Sequence, residues 1–301
     1  DYDMTILKVD TTQPHGSQKN PYVIASIDDW DRFAKNLDVG TIPNYGSGKY
    51  FILANNLDFD GKIFHPIRFF NGTFYGFGYK LQNISVNVTA GWVYWNGSNY
   101  VQIPTSGASS PYGYGVFCRT LNSTIADLIV ENFEYKQMPA TAIYTSRNVT
   151  STGGVAGQSN GQDYFLNCQT IGAIESNIVY SHHTPSAGII GAHATKSSAA
   201  ALLVYRCSSK VSISTESAAA FTTIHSGIIG DAFDAGNIVI YDCAANIISN
   251  TNTGAHTSAS IAAGVIGSDT LYLENVIGTI NVNTTVNAGS GALIGTYSNS
   301  V

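Results

Sequence analysis

The stretch Gly188-Ile189-Ile190-Gly191 sets the pattern of this sequence, because related segments recur along the last two thirds of the chain. The copies are Gly115–Cys118, Gly154–Gly157, Gly188–Gly191, Gly227–Gly230, Gly264–Gly267 and Gly291–Gly295. The last residues of successive copies lie 28 to 39 residues apart. Repeats of about 20 to 50 residues are typical of stacked units that bury their apolar faces against each other. The pattern therefore predicts a solenoid, with Ile190, Ile229 and Ile266 in one inward-facing column.

The second half of each repeat indicates strands. An apolar stretch, a polar residue and one buried-type residue are followed by a β-branched, alternating run such as Val211–Ser214 or Thr279–Val282. Short runs of period two, bounded by Gly, Asn, Ser and Thr, are typical of strands. We therefore predict an all-β fold, a right-handed parallel β-helix with three strands per triangular coil and a short N-terminal capping helix. A four-stranded propeller blade is the weaker alternative, because the units are short for it.

The first part of the chain contains a recognisable set of motifs. They are Pro21–Ser26, Gly48–Phe59, His65–Ile67 and Asn71–Ser85. Residues 20–90 resemble the N-terminal module of large, mostly microbial, adhesin-like surface proteins with the GLUG repeat, which also occurs beside immunoglobulin-A-cleaving peptidases; the later repeats resemble it more loosely. The resemblance implies a β-helix and an extracellular location, and it implies no reaction. Tyr75 and Tyr79 stand where the family pattern usually has Asp and His.

Composition agrees with an outward-facing β surface. Charged residues make up 11% of the chain, against about 25% in an average soluble protein. With 14 basic and 20 acidic residues and no basic cluster, nucleic acid is not predicted as a partner. The sequence contains no apolar run of about 18 residues, so no membrane span is predicted. We predict a mature or excised secreted segment, with residues 1–20 as an N-terminal extension and residues 21–301 as a single β-helix domain.

The two ends of the predicted β-helix differ. Ser26 can cap a helix over residues 26–39, with Asp29 at its third position, and Trp30 is predicted to cover the first coil. Gly291–Val301 begins a new coil without a helix or a charged terminal strand, which predicts an uncapped end. Such an end is expected to stack or to continue into a longer protein, and a head-to-tail contact that does not close gives a fibre.

The cysteines are predicted to be part of the core. One column of inward residues is expected to contain Phe133, Cys168, Cys207, Cys243 and Val276. Neighbouring coils lie about 4.8 Å apart, whereas a disulfide needs Cβ atoms about 3.8 Å apart. Free, buried thiols are therefore predicted, with one strained bridge or a soft-metal site as alternatives, and Cys118 is expected to be alone.

One segment, residues 88–114, interrupts the repeats and is rich in aromatic residues. Its aromatic residues include Trp92, Tyr94, Trp95, Tyr100, Tyr112 and Tyr114. Flat rings with few charges suit sugar stacking or a protein interface. The alternative is that the loop folds back and uses its rings as its own small core. If the chain has a binding site that the sequence can reveal, we expect it here.

Catalytic and metal sites are weakly indicated. Enzymes that cleave polysaccharides need clustered carboxylates, but Asp58 and Asp60 are expected in a turn and Glu131 and Glu134 on a solvated face. The histidines near the glycine segments are His183, His193, His225 and His256. Their offsets from these segments are unequal, which favours surface loops over a zinc site. We therefore predict no enzyme activity, no metal and no cofactor.

Seven sequons for N-glycosylation are present. They begin at Asn71, Asn83, Asn87, Asn96, Asn122, Asn148 and Asn283. Seven is barely more than the number expected by chance in a chain so rich in Asn, Ser and Thr.

Taken together, these patterns predict an extracellular structural or adhesive surface glycoprotein that stacks or continues end to end into a fibre or cell-surface layer. Its expected partner is itself or the remainder of a longer surface protein, with glycans as a further partner. The alternatives are a carbohydrate-active β-helix enzyme, either a polysaccharide lyase or a hydrolase, and a glycan-binding fibre tip. Three carboxylates in an open cleft would favour the enzyme, and exposed, parallel Trp92 and Trp95 would favour the tip.

Overall fold

The chain folds as a parallel β-solenoid. A computed structural model of the 301-residue chain describes residues 11–39, 45–86, 92–102, 113–136, 151–177, 183–193, 201–216, 222–232, 236–251, 257–267, 270–284, 288–290 and 293–297. Parallel strands from successive coils form four sheets, and the described residues contain one helix, α1 (Ile27–Val39). The predicted fold class, a parallel β-helix with a short N-terminal helix, is confirmed.

Each complete coil passes through the four sheets in order. The first sheet contains β9 (Gly113–Tyr114), β13 (Ser151–Gly153), β17 (His183–Ala187), β21 (Thr222–Ser226), β25 (Thr257–Ser260) and β29 (Ala288–Ser290). The second contains β10 (Phe117–Leu121), β14 (Ala156–Asn160), β18 (Ile190–His193), β22 (Ile229–Ala232), β26 (Ala263–Ile266) and β30 (Ile294–Tyr297). The predicted three strands per coil are wrong, because the chain bends at the glycine segment and forms a strand on each side of it.

The remaining sheets begin earlier in the chain. The third contains β1 (Tyr22–Ile24), β2 (Tyr50–Leu53), β4 (Thr73–Tyr75), β11 (Thr124–Ala126), β15 (Asp163–Leu166), β19 (Ala201–Tyr205), β23 (Asn237–Tyr241) and β27 (Thr270–Glu274). The fourth contains β3 (Leu57–Asp58), β5 (Lys80–Gln82), β6 (Ser85–Val86), β12 (Ile129–Lys136), β16 (Gln169–Asn177), β20 (Ser208–Glu216), β24 (Ala244–Thr251) and β28 (Ile277–Thr284). A separate antiparallel hairpin joins β7 (Val93–Trp95) to β8 (Tyr100–Gln102).

The register of the second sheet corrects one predicted column. Its paired residues are Phe117, Ala156, Ile190, Ile229, Ala263 and Ile294. Ile190 and Ile229 stack as predicted, but Ile266 pairs with Ala232. A Cβ on Gly264 would lie 2.0 Å from the Ile224 side chain and 2.6 Å from the Gly230 carbonyl oxygen. Gly264 therefore takes the place that Gly230 has in the preceding coil. The copy that the sequence pattern assigned to Gly264–Gly267 begins three residues too late.

The turn from the third to the fourth sheet uses one residue in the left-handed conformation, which we call the corner residue. The corner residues are Asp127, Asn167, Arg206, Asp242 and Asn275, with φ between 51° and 53°. Asp and Asn tolerate this conformation better than most residues. The next residue of each coil points inward, and the column it forms contains Leu128, Cys168, Cys207, Cys243 and Val276.

The predicted first member of that column, Phe133, is wrong. Phe133 is buried but pairs with Gly172 in the fourth sheet. The preceding residue, Asn132, also has a left-handed backbone, with φ of 54°. Asn132-Phe133 therefore imitates the local sequence of a corner residue and its inward neighbour. The predicted burial of Cys168, Cys207 and Cys243 is confirmed, and the structure has them, like Cys118, as free thiols.

Helix α1 closes the N-terminal end of the core. The Asp29 N–H donates to Ser26 Oγ at 3.2 Å, and the Ala25 N–H donates to Asp29 Oδ2 at 3.1 Å, so the predicted capping interaction is present. Trp30 is 0% exposed and lies within 6.3 Å of four phenylalanine rings. Its indole Nε1–H donates to the His65 carbonyl oxygen at 2.8 Å. The predicted role of Trp30 as a lid over the first coil is confirmed.

Candidate functional site

Part of the aromatic insertion belongs to the core. Trp92 and Tyr114 are fully buried, and their ring centroids lie 5.0 Å apart. The Trp92 indole N–H donates to the Lys136 carbonyl oxygen at 3.0 Å, and its ring packs edge-on against Tyr135. These rings therefore pack, as the alternative interpretation of the insertion predicted, but within the core of the solenoid and not as a separate small core. Tyr112 lies outside the described residues.

The other three aromatic residues lie on the β7–β8 hairpin, which packs against α1. The Arg68 guanidinium lies 4.3 Å from the centroid of Tyr94. The Lys35 ammonium lies 4.6 Å from the centroid of Trp95 and 5.0 Å from that of Tyr100. Cations of the same chain therefore contact these rings, and the exposed, parallel pair of Trp92 and Trp95 that would favour the glycan-binding tip is not formed because Trp92 is buried.

A buried carboxylate, Asp38, anchors the hairpin to the helix. The Trp95 backbone N–H donates to Asp38 Oδ2 at 2.8 Å, and Arg68 Nε lies 3.5 Å from Oδ1. The Asp38 side chain is only 2% exposed. Burial raises its pKa to about 6, against the opposing effects of the Trp95 hydrogen bond and the Arg68 charge. The sequence does not reveal the role of Asp38, since only its contact with the hairpin distinguishes it from the other acids of α1.

A second polar group lies inside the solenoid, where the second and third sheets meet. Ser159 Oγ donates to Asp163 Oδ2 at 2.6 Å and lies 3.0 Å from His193 Nδ1. Asp163 also accepts hydrogen bonds from Thr120 Oγ1 and the Ser123 N–H. All of these side chains are buried, and burial lowers the pKa of His193 to about 4. The histidine does not contact the carboxylate, so the group is not a nucleophilic triad, and its burial identifies it as part of the core.

His225 is also an interior residue. Its Nε2 lies 2.8 Å from Thr215 Oγ1 and its Nδ1 lies 2.7 Å from Ser249 Oγ. Burial lowers its pKa to about 3, so the ring is neutral at physiological pH. The interpretation of His193 and His225 as surface-loop residues is therefore wrong. The side chains of His183 and His256 lie outside the described part of the structure.

The candidate carboxylates lie at turns and on the surface. Asp58 Oδ1 accepts hydrogen bonds from Asn83 Nδ2 at 2.8 Å and from the Asp60 N–H at 3.0 Å, which is a structural role. Glu131 pairs with Lys80 at 3.0 Å. Within the described residues, no group of three or more His, Cys, Asp or Glu side chains could hold a metal ion, and no helix is long and apolar enough to cross a membrane.

The described sequon asparagines differ in their surroundings. Asn96 is exposed in the hairpin turn, where its Oδ1 accepts from the Ser98 and Asn99 N–H groups. Asn83 and Asn122 have left-handed backbones, Asn71 is half-buried, and Asn283 Nδ2 donates to Asn250 Oδ1 at 3.0 Å. Asn87 and Asn148 lie outside the described residues. Glycosylation of any of the seven remains a prediction.

The C-terminal end presents the clearest candidate interaction surface. In the coil containing β23 and β24, the inward residues Ile240, Cys243 and Ile247 are at most 2% exposed. In the next coil the equivalent residues are only partly buried, and we call these the end face: Leu271, Leu273, Val276 and Ile280. The end face is bordered by the edges of β27 and β28, which are the last strands of their sheets within the described residues. It therefore combines apolar side chains with strand edges.

Comparisons with known proteins leave the fold class to rest on the strand pairing described above. No family model matches the sequence. The search of curated proteins found no relative. A search of solved structures matched a crystal structure from Bacteroides ovatus described as "a putative immunoglobulin A1 protease". The TM-score is 0.44 and the identity 14%, over 88% of this chain and 85% of that one. The resemblance to GLUG-repeat proteins thus stays a prediction.

Proposed function

We propose that this chain is a structural or adhesive segment of an extracellular surface protein, in which a further β-coil covers the end face. The observation that carries the proposal is the change in burial between two neighbouring coils. Ile240 and Leu273 pair in adjacent strands at the same register, yet Ile240 is 0% exposed whereas Leu273 is only partly buried. Apolar columns of this kind are stabilised when the next unit stacks on them.

The other end of the molecule supports the same proposal. Helix α1 covers the first coil, so the solenoid can be extended by stacking at its C-terminal end and not across the helix. The low content of charged residues, 11% of the chain, suits a long-lived surface of neutral polar side chains. The exposed pair of Trp92 and Trp95 that would favour the glycan-binding alternative is not formed, because Trp92 is buried. Asp58, the first carboxylate considered for an enzyme, is engaged in a turn.

The proposal can be tested with two substitutions in one strand. Ile280 lies on the inward side of β28 and belongs to the end face, whereas Ile277 lies on the same strand and is 68% exposed. We expect the purified wild-type chain to associate reversibly with increasing concentration in sedimentation velocity experiments, because its end face is uncovered. Ile280→Arg should abolish this association, and Ile277→Arg should leave it unchanged. A wild-type chain that stays monomeric up to high micromolar concentration, or two variants that behave alike, would contradict the proposal.

A further inference from the structure

Each corner residue is held by hydrogen bonds that connect two neighbouring coils. Between the corners at Asp127 and Asn167, the Asp127 N–H donates to the Leu166 carbonyl at 2.9 Å. The Gln169 N–H donates back to the Leu128 carbonyl at 2.9 Å. A third bond joins the side chains, as Asn167 Nδ2 donates to Asp127 Oδ1 at 2.7 Å. We call this set of three bonds the corner clasp.

The same clasp joins the last two corners. The Asp242 N–H donates to the Glu274 carbonyl and the Ile277 N–H to the Cys243 carbonyl, both at 3.0 Å. Asn275 Nδ2 donates to Asp242 Oδ1 at 2.9 Å. At both clasps the side-chain donor belongs to the later coil and the acceptor to the earlier one, whereas at the corner pair between them Arg206 Nε of the earlier coil lies 3.9 Å from Asp242 Oδ2 of the later one. The bond from Asn83 to Asp58 runs in the same direction as in the two clasps. Because an ionised carboxylate can only accept hydrogen bonds, the direction of these three bonds is fixed by the residue types.

The last described coil therefore presents half of a clasp. Its corner offers the Asn275 N–H as a donor, and the Asn275 Oδ1 and the Val276 carbonyl oxygen as acceptors. We propose that the partner of the end face is a parallel β-coil stacked in register, with a hydrogen-bond donor side chain at its own left-handed corner. This inference rests on the proposed function and adds the orientation and chemistry of the partner. Within the chain, the corner that follows Asn167 is occupied by Arg206, a donor-only side chain.

A second copy of the chain can cover the apolar side chains of the end face, which gives the reversible association expected above, but it does not satisfy the half-clasp. Two end faces that meet across a two-fold axis would pair their strands antiparallel, whereas the neighbouring coils of this chain pair in parallel throughout the four sheets. A copy that approaches with its N-terminal end would present α1, which lies over the core, in place of a left-handed corner. A continuing coil of the same kind satisfies all three groups because it repeats the contact already made between Asp242 and Asn275.

The experiment extends the full chain by one coil. A copy of residues 271–297 is appended after Val301. Ile266 pairs with Tyr297, and Thr270 and Val301 each follow these residues by four positions. Val301 therefore takes the place of Thr270 in the new coil, and the copied residues continue in the same register. Two extensions are compared, one with Asn and one with Asp at the copied corner. Both residues occupy left-handed corners in the chain, and only Asn carries the donor. The probe is hydrogen exchange of the Asn275 amide, which should become protected only when a parallel coil accepts its hydrogen bond.

We expect the Asn extension to slow exchange at Asn275 at least about tenfold relative to the unextended chain. The Asp extension should protect this amide about fivefold less, since one hydrogen bond is lost. No protection by either extension would overturn the proposal, and equal protection by both would overturn the requirement for a donor. An unextended chain that is a stable dimer with Asn275 already protected would place a second copy on the end face. These outcomes are separate from the effect of Ile280→Arg on association, which tests the proposed function.

Discussion

The two ends of the solenoid complete the same core in different ways. At the N-terminal end, Trp30 and Phe33 of α1 pack on Phe51 and Phe74 of the third sheet, and all four are at most 1% exposed. At the C-terminal end, the third-sheet column continues from Ile240 to Leu273 with nothing equivalent to α1 among the described residues. The strands are paired in the same manner at both ends. The comparison teaches that stacking alone does not finish a solenoid, because the last inward column needs a cover from outside the repeat.

Truncation of Trp30, the lid over the first coil, is expected to reduce the stability of the protein more than any of the changes described below. Trp30→Ala should destabilise the protein by about 3–5 kcal/mol, because a large buried aromatic side chain leaves a cavity against four phenylalanine rings. Equilibrium unfolding in urea would measure the loss. A change below about 1 kcal/mol would show that the N-terminal end is no better covered than the other end.

The two neighbouring coils at the C-terminal end allow a matched comparison. Ile240→Ala should cost about 2–5 kcal/mol, since Ile240 is fully buried. Leu273→Ala, at the paired position of the next strand, should cost less than half as much because its side chain is only partly buried. Urea unfolding of both variants at low protein concentration gives the ratio of the two losses in the free energy of unfolding. Equal losses would mean that the end face is already covered in the isolated chain.

The hairpin on α1 should make stability depend on pH. The pKa of Asp38 is raised by burial from 3.8 to about 6 in the folded state. The folded state therefore binds the Asp38 proton more tightly than the unfolded state does. The contribution of this proton to the free energy of unfolding is complete below pH about 4 and is lost as the pH rises through about 6. The free energy of unfolding falls by at most about 3 kcal/mol over this range, because the pKa of Asp38 differs by roughly two units between the folded and unfolded states.

Asp38→Asn provides the control for this dependence. The variant keeps an acceptor for the Trp95 N–H and has no titrating group, so its stability should vary less between pH 4 and pH 7 than that of the wild type. Unfolding midpoints across this range would show the difference. Parallel curves for the two proteins would contradict the assignment of the pH dependence to Asp38.

Loss of the helix cap is expected to have the smallest effect. Ser26→Ala removes the acceptor of the Asp29 N–H and should cost about 1 kcal/mol. Ser26→Thr keeps a hydroxyl that accepts from the Asp29 N–H and donates to Asp29 Oδ2, so it should recover most of this loss. Thermal unfolding would measure both changes. If neither variant differs from the wild type, the first turn of α1 does not depend on its cap, and the cover of the N-terminal end rests on Trp30 and its aromatic neighbours alone.

The sequence was a good guide to the repeat and a poor one to its register. The glycine spacing predicted a solenoid, and Ser26 with Asp29 predicted the helix whose Trp30 covers the first coil, because both signals are local in the sequence. The number of strands per coil depends on the bend at the glycine segment, and the column containing Leu128 depends on which residue takes the left-handed conformation. Asn132 and Asp127 both take it, and the local sequence alone did not separate their roles.

The interior polar residues were missed for a different reason. His193 and Ser159 are 34 residues apart in the chain, and His225 and Ser249 are 24 apart. A histidine at such a position has a low cost of burial only because a neighbouring coil supplies its partner. Asp38 presents the same difficulty, since its contact with the Trp95 N–H spans 57 residues. Contacts of this range become visible only when the coils are stacked.

The single-residue corner has a consequence for engineering the molecule. One residue inserted beside Asn167 would place every later side chain of that strand on the opposite side of the sheet, because strand side chains alternate. The connections from the fourth to the first sheet differ, since 14 residues separate β12 from β13 and only three separate β28 from β29. Guest peptides or affinity tags therefore belong in these connections, because a change of length there does not alter which side chains of the strands point inward. The protein is in this sense a display scaffold, with connections of variable length from the fourth to the first sheet and a corner of fixed length between the third and fourth sheets.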